Sequence, residues 1–265
     1  MLAAALSRST SRRSLVLLGA LWGLVALVRY QDAVLGILAA PKLWRDVVRG
    51  NRSWRERIAR TCAFAVPALL VFLPQMLFWQ RIYGQPLVFA VPSGFMHWWN
   101  PQVLPFLFST WQGAILWSPV VLLGIAGLFA VPDRALRAAT LAAVALEIYA
   151  SAAAGDWWGS ASCGARRLVV VGPVLALGVA ALFAFTTGRG GRAPLALATA
   201  VLLCIVWNWR LTQFYARDYL PRNPANAVDY MRDFPPEHPY RRVWGQWEYA
   251  RWFEEVGNAE RRMWR

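Results

Sequence analysis

Residues 168–186 read LVVVGPVLALGVAALFAFT, an apolar block of 19 residues without one charged side chain. A helix that crosses a bilayer needs about 20 predominantly apolar residues, so this block alone is long enough to span. Six further apolar blocks lie along the chain: Ser14–Val28, Ala33–Ala40, Thr61–Trp79, Ala114–Val131, Leu136–Ala154 and Pro194–Trp209. The pattern predicts an all-α fold, a polytopic transmembrane helix bundle of about six to seven spans.

Two of these blocks depart from a plain span. Ala33–Ala40 is too short to cross a bilayer alone, so we expect half of a bent pair or a re-entrant piece lining a cavity. Thr61–Trp79 contains Pro67 and Pro74, which are expected to kink its helix because proline removes a backbone donor. No convincing internal repeat relates the blocks to one another.

The composition is also that of a membrane protein. Hydrophobic residues make up 58% of the chain and charged residues 16%, against about 45–50% and about 25% in soluble domains. The 16 Trp, 13 Phe and 8 Tyr exclude a disordered chain. Three scattered cysteines exclude a disulfide framework. With only two histidines besides, we predict no metal site and no cofactor.

Basic residues dominate the charge, and the formal net charge is +14. Seven of them lie between Pro41 and Arg60, while Arg8, Arg12 and Arg13 precede the first apolar block. Basic residues at the ends of spans mark the cytoplasmic side, which favours membrane orientation over nucleic-acid binding. We therefore predict membrane lipid and no nucleic acid as a partner. The high content of Ala, Arg and Trp is typical of a GC-rich bacterial gene, so we expect a multi-pass protein of the bacterial cytoplasmic membrane.

The same rule orients the segments between the spans. It places residues 80–113, with one Arg and no Lys, and residues 155–167 on the outer side. Residues 1–211 are predicted to form the transmembrane helix bundle, and residues 212–265 an extramembrane C-terminal segment. That segment is expected to be a small cap on the helix ends or, over residues 243–256, a helix lying on the membrane surface.

Two polar clusters on the outer side are candidate substrate-binding sites. Arg29 and Asp32 follow the first block, where a charge is costly unless it is paired or faces water. Either the two residues form a mutual ion pair, or the Arg29 cation reaches an anionic ligand. His97 lies among Trp98, Trp99 and Asn100, which suit an interfacial aromatic belt or a platform for a sugar ring.

A third cluster occupies residues 155–167, which we call the 155–167 loop. It holds one acid, two tryptophans, three glycines and two adjacent arginines, and its candidate binding residues are Asp156, Trp157, Trp158, Arg166 and Arg167. Paired arginines bind phosphate through charge-assisted bidentate hydrogen bonds, and the N-terminus of the following helix favours an anion. The alternative is an ion pair between an arginine and Asp156 that holds a tight turn.

At these residues the chain resembles the later half of bacterial polytopic glycosyltransferases of the GT-C class, similar to family 39 protein mannosyltransferases and lipid A aminoarabinose transferases. The resemblance covers roughly residues 14–215. It rests on these motifs: Arg29-Tyr30-Gln31, Tyr83-Gly84-Gln85-Pro86-Leu87, Phe106-Leu107-Phe108-Ser109, Trp117-Ser118-Pro119, Asp156-Trp157-Trp158-Gly159 and Gly164-Ala165-Arg166-Arg167. The chain departs from the family pattern at Tyr30, Gln112, Ser160 and Cys163.

The resemblance implies transfer of a sugar from a polyprenyl-phosphate donor at the outer face of the cytoplasmic membrane. Family members are about twice as long and carry their catalytic acid upstream of the matched part. We therefore expect a C-terminal portion of such an enzyme, with its catalytic residues unknown and an upstream half of the same gene product as a partner. An inactive membrane scaffold or partner protein is the alternative. A transporter ranks last because, of the polar residues, only Glu147 sits deep in a span.

Overall fold

A computed structural model describes residues 11–49, 53–88, 95–109, 112–157, 159 and 164–216. Within these ranges the protein is an all-α helical bundle, with no β-strand. The described residues contain nine α-helices: α1 Arg12–Val28, α2 Ala40–Leu43, α3 Trp54–Tyr83, α4 Val103–Phe108, α5 Ala114–Trp117, α6 Val120–Leu128, α7 Arg134–Ala153, α8 Gly172–Arg189 and α9 Ala193–Ala216. A 3-10 helix over Tyr30–Ala39, a π-helical turn over Trp44–Val48 and a second 3-10 helix over Arg166–Val171 connect them.

In the part of the chain that the structure describes, four helical segments are long and apolar enough to cross a membrane: Trp54–Tyr83, Arg134–Ala153, Arg166–Arg189 and Ala193–Ala216. Their large apolar side chains are widely exposed, as at Leu70 and Leu77 of α3, each 61% accessible. Such surfaces are unfavourable in water and match lipid tails. The chain is therefore a membrane protein.

The described residues form two compact units. The first draws on residues 11–96, 124–150 and 170–182, and the second on residues 97–123, 151–169 and 183–216. In the first unit α1 crosses α3 at close range, because Gly19 and Gly23 let the backbone of α3 approach. A Cβ on Gly19 would lie 2.0 Å from the Phe64 carbonyl oxygen. Small residues of this kind are typical of helix contacts in membranes.

A second close contact in the first unit joins α6 and α8. A Cβ on Gly178 would lie 2.0 Å from the carbonyl oxygen of Gly124, and one on Gly127 would lie 1.9 Å from the carbonyl oxygen of Gly178. Three glycines therefore bring the two backbones into direct contact, where any side chain would force them apart.

The block predicted as one span over Ala114–Val131 is divided into α5 and α6. Pro119 has no N–H and its ring clashes with the preceding turn, so the helix stops at Trp117 and restarts at Val120. The carbonyls of Leu116 and Trp117 lose their helical partners at this break. In the second unit α9 supplies new ones.

The two replacement donors are neighbours on α9. Trp207 donates its indole N–H to Leu116 O at 2.7 Å, and the Asn208 amide donates to Trp117 O and Ser118 Oγ at 2.9 Å each. An unpaired backbone carbonyl is expensive in an apolar environment. These side chains therefore make the break tolerable.

Other predicted segments are recovered with different bounds. The short block at Ala33–Ala40 lies in the 3-10 helix Tyr30–Ala39, apart from Ala40, which begins α2. Trp22 of α1 donates its indole N–H to Ala33 O at 2.7 Å. Helix α3 runs continuously through Pro67 and Pro74. Of the predicted C-terminal segment, residues 212–216 continue α9 and the remainder lies outside the described residues.

Candidate functional site

Arg29 and Asp32 of the first cluster are brought together at the end of α1. The helix ends because Arg29 adopts an extended backbone, with φ of −148°. Its guanidinium donates from Nη2 to Gln31 Oε1 at 3.1 Å, and its Nε lies 3.7 Å from Asp32 Oδ1. The ion pair that the sequence offered as one of two alternatives is therefore present. The Arg29 side chain nevertheless remains 37% accessible.

Asp32 is the buried member of this pair, and its side chain is only 4% accessible. Its Oδ1 atom accepts no hydrogen bond from any residue that the structure describes. The segment lies outside the four helices that are long enough to cross a membrane. Burial raises the pKa of the Asp32 carboxyl above its ordinary value, and the positive charge of Arg29 partly opposes this effect.

A cavity of about 270 Å³ opens beside Arg29. Its polar wall consists of Arg29, Tyr30, Gln31 and Gln75, and Trp79 contributes an indole face. The Tyr30 and Trp79 rings meet edge to face with centroids 6.1 Å apart. We call this space the Arg29 cavity.

Gln75 and Trp79 were not among the residues predicted from the sequence. They lie four residues apart on α3, and this spacing places them on one face of the helix. The available signal was an amide inside a block of 19 otherwise apolar or weakly polar residues. A polar side chain there usually faces the bundle interior or a water-filled cavity.

In the second unit, the 155–167 loop is closed by an ion pair between Arg167 Nη2 and Asp156 Oδ1. The same guanidinium nitrogen lies 3.4 Å from the Asp156 carbonyl oxygen. Gly159, at φ +80°, donates its N–H to Asp156 O at 2.7 Å, which tightens the turn in a conformation that glycine adopts without strain. Two predicted site residues thus contact each other.

The remaining predicted residues of this loop lie in different environments. Arg166 is exposed, whereas Trp157 is buried with 5% of its surface accessible. Trp158 lies outside the described residues. The Trp157 indole is therefore shielded from solvent, whereas Arg166 presents its charge to the surroundings.

His97 of the second cluster is exposed, as are Trp98 and Trp99. Its backbone N–H donates to Ala153 O at 2.6 Å, and the N–H of Gln102 donates to Ala152 O at 2.8 Å. These bonds attach the segment to the end of α7, directly before the 155–167 loop. Backbone bonding therefore brings the second and third clusters close together.

A group of four buried or half-buried charges was not predicted. Lys42 Nζ lies 2.7 Å from Asp46 Oδ2, and Arg60 contacts both Asp46, at 3.9 Å, and Glu56, at 3.2 Å. Lys42 and Asp46 are the most buried, at 1% and 2% side-chain accessibility. The four charges sum to zero, so we interpret this ion network as a structural link between the π-helical turn and α3.

No three His, Cys, Asp or Glu side chains among the described residues are grouped so as to hold a metal ion. The fold and these sites define an all-α membrane protein with an arginine-lined cavity in one unit and an Asp–Arg loop in the other. In comparisons with known proteins, no family model, curated protein or solved structure matches this chain. Its function is therefore argued from these sites.

Proposed function

We propose that this protein is a membrane glycosyltransferase, or the C-terminal portion of one. It would transfer a sugar from a polyprenyl-phosphate donor at the outer face of the bacterial cytoplasmic membrane. The observation that carries the proposal is the Arg29 cavity, which combines an accessible guanidinium, two amides and an indole in about 270 Å³.

The chemistry of the cavity suits a phosphorylated sugar. Phosphate oxygens accept charge-assisted hydrogen bonds, and Arg29 retains accessible donors beside Gln31. Sugar transfer leaves a polyprenyl phosphate, so a fixed cation lowers the barrier by stabilising the charge that develops. The C–H face of a sugar ring packs on an indole such as Trp79. The volume accommodates a headgroup, while the prenyl chain would stay in lipid.

The 155–167 loop has a supporting role in this proposal. Asp156 fixes the guanidinium of Arg167 through their ion pair, and the exposed Arg166 is the cation free to reach an anionic oxygen. We assign Asp156 to positioning and leave the general base unassigned.

Binding of farnesyl phosphate to the purified full chain tests the cavity. Arg29→Ala is expected to weaken binding about 10- to 150-fold, because hydrogen bonds to charged groups contribute about 1.5–3 kcal/mol. Arg81→Ala is the matched control, since it removes an exposed arginine near the C-terminus of α3. Equal affinity in wild type and Arg29→Ala would refute the assignment of the cavity.

An inactive scaffold or partner protein is the second candidate. It is favoured by one observation: Asp32 and Asp156, the two acids of the predicted site, both lie in ion pairs with arginines. A transfer assay with a prenyl-phosphate-linked sugar separates the two. Turnover that is lost in both Asp156→Asn and Arg166→Ala supports the enzyme. Farnesyl phosphate binding without turnover in the full-length gene product supports the scaffold.

The outer-face assignment has its own test. Cys163, in the 155–167 loop, should react with a membrane-impermeant maleimide added to intact spheroplasts, whereas Cys62, at the predicted cytoplasmic end of α3, should not. The reverse labelling pattern would place the loop on the cytoplasmic side and contradict the proposal.

A further inference from the structure

The segment that joins α2, the π-helical turn and the start of α3 has an inner face that contains all of its negative charge. Its only acids between residues 41 and 60 are Asp46 and Glu56. Asp46 is paired with the buried Lys42 and with Arg60, and Glu56 with Arg60. These pairs hold the two acids against Lys42 and Arg60, and the seven basic residues of this range exceed its two acids by five.

The opposite face of the same segment is basic and aromatic. In the π-helical turn, Trp44 is 57% accessible, and Arg45 and Arg49 are exposed. The first turns of α3 repeat this arrangement, with Trp54 67% accessible. We define the basic aromatic face by its exposed members: Trp44, Arg45, Val48, Arg49, Trp54, Arg55, Arg57 and Ile58.

The inner ion network holds this face outward. Lys42 and Asp46 are four residues apart and buried, whereas Trp44 and Arg45 between them, and Val48 and Arg49 after them, are exposed. On α3, Glu56 and Arg60 do the same for their neighbours. Arg55 also lies over the Trp54 ring, with its Cζ 5.6 Å from the ring centroid. Charge and indole are thus presented together.

The length of α3 places this face at the bilayer surface. Its 30 residues extend about 45 Å at about 1.5 Å per residue, while the hydrocarbon core is about 30 Å thick. The first turns, which carry the arginines, therefore fall in the headgroup layer. Tryptophan favours that layer, and arginine pairs with phosphate oxygens there.

From this geometry we infer that the basic aromatic face is a binding surface for anionic phospholipid headgroups of the leaflet that contains the N-terminus of α3. The arginines bind the phosphodiester and its uncompensated negative charge, and the tryptophans insert at the boundary of headgroups and acyl chains. This surface is separate from the Arg29 cavity and does not depend on the proposed transferase activity.

Native mass spectrometry of the full chain in a neutral detergent tests the inference. Phosphatidylglycerol and phosphatidylcholine are titrated, and the apparent Kd of the first bound lipid is compared. Wild type should prefer phosphatidylglycerol, and Arg45→Gln with Arg49→Gln should reduce that preference by up to about fivefold for each arginine removed. The preference should also fall as ammonium acetate concentration rises, because salt screens exposed charges.

The matched control removes two exposed arginines elsewhere, Arg189→Gln with Arg192→Gln. It should keep the wild-type preference. Equal affinity of wild type for the two lipids, or an equal loss in the control, would overturn the inference. Binding of a duplex oligonucleotide that depends on Arg45 and Arg49, without lipid preference, would overturn it as well. If the Arg45 and Arg49 variant does not fold, the salt series on wild type decides: a salt-independent preference contradicts the inference.

Discussion

Removal of the Asp46 carboxylate should destabilise this protein strongly, because it removes the carboxylate that pairs with a buried ammonium. Lys42 Nζ lies 2.7 Å from Asp46 Oδ2, and both side chains are nearly inaccessible, at 1% and 2%. Arg60 Nη1, at 3.9 Å, loses the same carboxylate. Breaking a buried pair from one side costs about 3–5 kcal/mol. We therefore expect Asp46→Ala to lower the free energy of unfolding by that amount.

The assay is thermal unfolding of the full chain in detergent, followed by circular dichroism. At roughly 2–4 °C per kcal/mol for chains of about this length, the midpoint should fall by about 6–20 °C. The double variant Lys42→Met with Asp46→Leu removes both charges and should recover most of the loss, since apolar replacement of a whole buried pair is often neutral. Arg49→Ala is the control at an exposed position of the same segment.

Two results would refute the reasoning. One is an Asp46→Ala midpoint within about 2 °C of wild type, since that is less than the shift expected from even 1 kcal/mol. The other is a double variant as unstable as the single one. In either case the network would not be the element that holds the basic aromatic face outward.

Three further predictions concern stability. Gly178→Ala should separate α6 from α8 and cost about 1–3 kcal/mol, whereas Gly188→Ala on the same helix meets nothing within 4 Å and should not lower the thermal midpoint. Asn208→Ala removes donors to Trp117 O and Ser118 Oγ and should cost about 1–3 kcal/mol in the same assay. Burial raises the pKa of Asp32 above its ordinary value of 3.8. Wild type should therefore lose stability relative to Asp32→Asn as pH rises from 3.8 through the folded-state pKa. The thermal midpoint of both proteins, measured as a function of pH, checks this.

The fold class followed from the apolar blocks because hydropathy reports which residues can reside in lipid. It does not report where a helix begins. Helix α3 starts at Trp54 instead of Thr61, since its first turns are too polar to be counted in an apolar block. Hydropathy also does not reveal the effect of Pro119, whose missing N–H divides one apolar block into α5 and α6.

The candidate site was only partly accessible to sequence reasoning. Arg29 with Asp32, and Asp156 with Arg167, are local pairs whose contact could be anticipated from proximity in the chain and opposite charge. Gln75 reaches the Arg29 cavity from another helix, so its role depended on how α1 packs against α3. Burial of Lys42 accompanies its pair with Asp46, which also contacts Arg60 of α3, and it could not be predicted from the basic residues around Lys42 in sequence.

The hydrogen bonds from α9 to the break before α6 have a consequence for biosynthesis. Trp207 and the carbonyl that it serves are 91 residues apart. A ribosome adds about 5–20 residues each second, so Trp207 is synthesised roughly 5–18 s after Leu116, whose carbonyl it will bind. During that interval the break must be sheltered by water or by the insertion machinery. A nascent chain arrested before residue 207 is therefore expected to keep this region sensitive to protease, so the synthesis of α9 determines when the break becomes protected.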